Sequence, residues 1–106
     1  KKIDKISLLP SNNWSKNSYW LYTITIGDNK VRDYVVSYLK NLGIDARPSF
    51  YPLDLMPPYK KFAKYKCMVS HKIGLNGLSL PSSNISLSEQ RYIVKKLILA
   101  LQNKIN

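Results

Sequence analysis

Cysteine and histidine are almost missing from this chain: Cys67 and His71 are the single examples of each among 106 residues. A lone cysteine closes no internal disulfide, and one thiol with one imidazole is too few soft ligands for a zinc site. No metal is therefore expected. Cys67 has no neighbour that marks it as a nucleophile and reads as an inert small side chain. His71 reads as a surface or loop residue that could also face a ligand. Acidic residues are scarce too, six against seventeen Lys and Arg, and no pair of carboxylates is spaced for acid–base work. Only four glycines occur, and none builds a phosphate-cradling loop. No apolar run approaches the roughly 18 to 20 residues that span a bilayer, and no signal pattern opens the chain, so a soluble cytoplasmic protein without a membrane partner is expected.

What is present describes one small globular domain. Hydrophobic residues make up 44% of the chain, with eight Tyr and two Trp, enough for a modest core but not for a large enzyme with its own deep pocket. The net charge of +11 raises nucleic acid and acidic ligands as partners. Nearly all of that surplus is lysine, whereas specific phosphate and base recognition favours arginine forks, and only Arg32, Arg47 and Arg91 are present. The one dense cluster, Lys60, Lys61, Lys64 and Lys66 interleaved with Phe62 and Tyr65, reads either as a contact for a phosphate-bearing ligand or as a solvated face.

Periodicity gives a coarse order of elements. Residues 19–26 alternate, with Trp20, Tyr22, Ile24 and Ile26 on one side, which predicts a strand. Val31, Tyr34, Val35, Tyr38, Leu39 and Leu42 follow at helical spacing, and Gly43 sits where a left-handed cap belongs. Residues 44–50 alternate again, with Ile44, Ala46, Pro48 and Phe50 sharing a face and Asp45, Arg47 and Ser49 the other. A helix is expected over Lys60 to Lys66 and beyond, then a short strand at Leu78 to Leu80. Ser86 and Glu89 fit a capping box that starts a last helix with Ile93, Val94, Leu97 and Leu101 inward. The expected fold class is α/β (α+β), a short sheet with helices packed on one side. The residues before Tyr19, among them Ile3, Ile6, Leu8, Leu9 and Trp14, show no regular pattern, and 1–17 is expected to be a connecting segment.

The most unusual stretch is "RPSFYPLDLMPPY", Arg47 to Tyr59, which holds four of the six prolines and three aromatic rings. Proline fixes its own φ and pushes the preceding residue toward extended backbone, so a rigid, extended loop without helix is expected. Such a loop suits a surface that holds its shape against a ligand or another chain. It equally suits a connector that covers a sheet edge with Phe50, Leu53, Leu55 and Met56.

The order of these pieces, "SYWLYTI" at Ser18 to Ile24, "VRDYVVSYLKNLGIDARPSFYPLDLMPPY" at Val31 to Tyr59 and "GLNGLSLPSSNISLSEQRYIVKKL" at Gly74 to Leu97, closely resembles the C-terminal part of the DegT/DnrJ/StrS family, with "SFYPL" similar to its perosamine-synthase branch. The resemblance implies the small domain of a fold type I pyridoxal-phosphate enzyme over residues 1–106, a fragment whose large cofactor-binding domain lies elsewhere. It implies a transaminase that moves an amino group from glutamate to a nucleotide-linked 4-keto-6-deoxy sugar, with pyridoxal 5'-phosphate held mainly by the large domain and active sites at a homodimer interface. No lysine here has the context of the Schiff-base lysine, so no catalytic residue is assigned and the chain alone is expected to be inactive. By match to the motif, Arg47 is the candidate contact to substrate, with Phe50 and Tyr51 shaping the wall. Arg47 could instead pair with Asp45 or a helix end. Asp54 joins the substrate-binding set, at a position where many relatives have His, whose neutral ring both donates and accepts as a carboxylate cannot.

A rival reading is a basic α/β module that stacks single-stranded nucleic acid on its Tyr and Trp residues. It leaves the proline loop and "GLSLP" without a purpose and lacks the Gly- and Phe-rich strand motif of RNA-binding platforms. Nucleic acid is thus not the expected partner. A third reading, a structural role in oligomerisation, has the apolar residues before Tyr19 packing on a neighbour.

Overall fold

The computed structural model describes residues 6–105. The first five residues, with Ile3 of the expected connecting segment, and the last one lie outside that range. Four strands form one antiparallel sheet in the order β1-β2-β4-β3: β1 is Ile6–Leu8, β2 Tyr22–Ile26, β3 Arg47–Pro48 and β4 Gly77–Leu80. Helices α1 (Asn29–Asn41) and α4 (Leu87–Ile105) cover one face of it, as expected, and two further helices, α2 (Pro57–Lys60) and α3 (Met68–Asn76), follow the proline loop. β4 runs antiparallel between β2 and β3, so α1 is the crossover between two parallel strands that are not neighbours.

The core is the meeting of the two helices with one side of the sheet. Ile24, Ile26, Leu78 and Leu80 from β2 and β4 close on Val35, Val36 and Leu39 of α1 and on Ile93, Leu97, Ala100 and Leu101 of α4. α1 begins where Asp28 accepts the N–H groups of Lys30 and Val31. It ends in a Schellman arrangement: Gly43 at φ +76° donates to the Lys40 carbonyl, and Ile44 to that of Leu39. The Ser86 capping box also forms, with the Glu89 N–H donating to Ser86 Oγ at 3.2 Å and the Ser86 N–H to Glu89 Oε2 at 2.6 Å.

Several expectations are corrected. Within the segment expected only to connect, Ile6–Leu8 forms the edge strand β1, paired with β2. β2 starts at Tyr22 rather than Tyr19, because Tyr19 turns to φ +51° with its N–H on Asn17 Oδ1. The ladder at residues 44–50 shrinks to Arg47–Pro48, since Pro48 and Pro52 bring no N–H donor. Ile44 and Ala46 are buried as expected, but Phe50 is 76% exposed. Residues 61–67 form no helix: every side chain from Lys61 to Ser70 is exposed, so nothing packs to hold one. The prolines do not exclude helix altogether, because Pro57 and Pro58 occupy the first turn of α2, where a missing N–H costs nothing. Val94 is half exposed, and Ala100 takes the inward place instead.

Candidate functional site

The second face of the sheet carries small polar side chains. Thr23 and Ser79 lie opposite one another in register and share a hydrogen bond of 3.0 Å, and Arg47 is the next partner in the same row. The proline loop and α3 border this face, leaving a groove of about 540 Å³ lined by Thr23, Ser79, Ser49, the loop and α3. Loop and helix are locked by backbone: Cβ at Gly74 would stand 2.7 Å from Pro52 Cδ and 2.8 Å from the Phe50 carbonyl. Arg32, buried on α1, fixes the joint between α3 and β4 by donating Nη1 to the Gly77 carbonyl at 2.9 Å.

Three of the four candidate substrate residues, Phe50, Tyr51 and Asp54, line this groove together. Arg47 stands at its rim, through its pairing with the lining residue Ser79. There it forms a fork with Asp45, Nη2 to Oδ2 at 2.7 Å and Nε to Oδ1 at 3.1 Å. That hydrogen bond holds the Asp45 carboxyl below its ordinary range and pushes the guanidinium higher still. Both side chains are more than half exposed, and an open pair of this kind exchanges one anion for another at little cost.

Asp54 has a partner that sequence reasoning missed. His71, reaching from α3, sets Nε2 2.5 Å from Asp54 Oδ2, and each side chain keeps 12% of its exposure. Burial acts to raise the Asp54 pKa and is the largest single influence, but the hydrogen bonds from His71 and from the Cys67 backbone N–H outweigh it and leave the carboxyl below its ordinary value. An imidazole is thus present beside position 54, supplied from α3 rather than from the loop. Asp54 Oδ1 and Ser49 Oγ are buried without a hydrogen-bond partner among the described residues. Cys67 is exposed.

The described residues make no metal cluster. They do not fit pyridoxal phosphate either: no described lysine is buried, and none lines the groove. The nucleic-acid alternative meets a sheet whose second face shows Thr23, Thr25 and Ser79 in place of a stacking platform. No helix among the described residues is long and apolar enough to cross a membrane.

No family model matches the chain. Among curated proteins it is similar to the GDP-perosamine synthase of Caulobacter vibrioides, 36% identical over 69 residues, which cover 63% of this chain and 19% of the relative. The GDP-perosamine synthase of Vibrio cholerae is 30% identical over 98 residues, 90% of this chain and 26% of the relative. That of Escherichia coli O157:H7 is 32% identical over 78 residues, 73% and 21% of the two chains. The chain thus spans about a fifth to a quarter of the length of these relatives. Among solved structures, an aminotransferase of Streptoalloteichus hindustanus superposes with a TM-score of 0.83 at 20% identity, over 97% of this chain and 28% of that one. A protein described as a sugar aminotransferase of Streptococcus pneumoniae, solved in PMP and PLP forms, superposes with a TM-score of 0.77 at 20% identity, over 93% of this chain. Sequence and fold together bear out the resemblance to sugar aminotransferases of the perosamine-synthase kind.

Proposed function

We propose that the chain is the C-terminal small domain of a pyridoxal-phosphate-dependent aminotransferase that transfers an amino group from glutamate to a nucleotide-linked 4-keto-6-deoxy sugar, for amino-sugar or surface-polysaccharide synthesis. The observation that carries this reading is the alignment of three GDP-perosamine synthases with 63 to 90% of the chain. In this reading the cofactor and its lysine belong to the chain's own large domain, and the working enzyme is a homodimer. This domain contributes a wall of the substrate site.

The chemistry of the groove suits that task. A sugar ring has apolar C–H faces and hydroxyl edges, so it asks for aromatic surface beside fixed acceptors. Phe50 and Tyr51 give the surface. Asp54, held ionised by His71, gives the acceptor. Arg47 gives a cation at the rim, able to leave the exposed Asp45 for a phosphate. The wall is stiff because proline ring and glycine backbone leave no slack between loop and α3, which is the condition for holding a substrate in one orientation.

The test is to express the longest in-frame product that contains this chain and assay pyridoxal-phosphate absorbance and glutamate-dependent amination of nucleotide-linked keto-sugars. The full product is expected to bind the cofactor and aminate, and the 106-residue chain to do neither. A full product that binds no pyridoxal phosphate, or takes no amino group from glutamate, overturns the reading.

A further inference from the structure

A second concavity lies around the end of β2 from this groove, on the side of the sheet that the helices cover. The groove beside Phe50 and Tyr51 adjoins a smaller one through Leu9, Leu21 and Thr23, and that in turn adjoins, through Tyr19 and Tyr22, a pocket of about 390 Å³ between the start of β2, the end of β4 and the first turns of α4. Three observations set this pocket apart. Tyr19 and Tyr22 stack with ring centroids 5.5 Å apart and planes 23° from parallel, and both rings remain partly exposed. Tyr19 holds a left-handed backbone at φ +51°, an uncommon place for a bulky side chain that a structure retains when surrounding contacts enforce it. Those contacts are visible: Asn17 Oδ1 accepts the Tyr19 N–H at 2.8 Å, and Ser82 Oγ donates to the Trp20 carbonyl at 2.8 Å. Finally, Gln90 lines the pocket from α4, and its side-chain amide has no partner among the described residues.

A stacked aromatic pair offers a flat, apolar face, and a free amide offers one acceptor and two donors in one plane. Together they match a flat ligand with hydrogen-bonding groups on its edge. We infer that the Tyr19, Tyr22 and Gln90 pocket is a nucleobase site, taking the base of a nucleotide whose remaining part extends toward the Phe50 and Tyr51 groove. This rests on the proposed function for the sugar end and adds the opposite end of the same substrate. Stacking supplies affinity for any base, because each has a π-face. Gln90 supplies the preference among bases, because each presents a different order of donors and acceptors.

The test is an NMR titration of the chain with the 5'-monophosphates of guanosine, adenosine and uridine, and with ribose 5-phosphate as the control lacking a base. It is run on the wild type, Tyr19→Leu and Gln90→Ala. Nucleotides are expected to shift the amides of Tyr19, Tyr22 and Gln90 saturably while ribose 5-phosphate does not. Tyr19→Leu should weaken binding about tenfold, the loss expected for one aromatic platform. Gln90→Ala should change the order of preference among the bases, and as an exposed helix position it serves if the leucine variant does not fold. Absence of a saturable shift at this pocket, an equal shift with ribose 5-phosphate, or unchanged binding and base preference in the variants overturns the inference. Tyr51→Ala in the full-length product reads the other end. A raised KM for nucleotide-sugar there, with no base binding at the tyrosine pocket, removes this inference and leaves the proposed function standing.

Discussion

Asp54 and His71 show what single residues do and do not announce. Arg47, Phe50, Tyr51 and Asp54 were legible as a candidate wall because they sit in one short, proline-stiffened run whose order is distinctive. His71 was not legible as Asp54's partner, because the contact joins residues seventeen apart through the packing of α3 on the loop. Only tertiary structure brings them together. The pair predicts a pH dependence with a definite sign. The folded-state pKa of Asp54 lies below its ordinary value, so its contribution is present above the ordinary carboxylate range and is lost as pH falls through the folded pKa. Asp45 and Glu89 are shifted the same way, so the wild-type curve alone does not isolate Asp54. The difference between wild type and Asp54→Asn does. Urea midpoints measured from neutral to acid pH should separate the two proteins at neutral pH and converge in acid; parallel curves would refute the pairing. Gly74→Ala tests the neighbouring contact. Its Cβ meets backbone and a proline ring that cannot yield, and a loss of about 1 to 3 kcal/mol is expected from overpacking.

Elements with local signals were read most closely, and of those that depend on remote partners β4 was expected at Leu78 to Leu80 while β1 was not. α1 carries its own stop in Gly43, and α4 its own start in Ser86 and Glu89, so both ends were visible in a few residues. β1 lacks such a signal: three residues at a sheet edge have one pairing partner and no alternation long enough to detect. The lysine stretch failed in the opposite direction, because residue types compatible with a helix found nothing to pack against. The groove itself was illegible for the same reason, being formed where α3 and the loop meet the second face of the sheet. Since the capping box is local, its removal should be local too. Ser86→Ala is expected to cost about 1 kcal/mol, read as a lower denaturation midpoint with the dispersion of the core amides unchanged. No change in midpoint would mean that packing of Ile93, Leu97 and Leu101 alone holds the first turn of α4.

At the scale of the molecule, the apolar surface is the unexplained quantity. Trp14, Trp20, Phe50, Phe62, Tyr65, Met68 and Val69 are each at least 63% exposed; single scattered apolar residues need no explanation, but Phe62, Tyr65, Met68 and Val69 fall together in one short stretch, which does. A second copy of the isolated chain is a poor cover, because each carries a net charge of +11 and the copies repel until salt screens them. Under the proposed function, the remainder of a longer protein is a better one, because the chain spans about a fifth to a quarter of the curated relatives it matches. The two differ in a measurable way. Hydroxyl-radical footprinting of the isolated chain should label Phe62, Tyr65 and Met68 strongly, and the same residues should be protected in the full-length product at equal ionic strength. Protection in the isolated chain that grows with salt and protein concentration would identify another copy as the cover. Equal labelling in both proteins would mean that the lysine and aromatic stretch faces solvent in the longer protein as well, which favours the solvated face over the phosphate contact among the two readings of its four lysines.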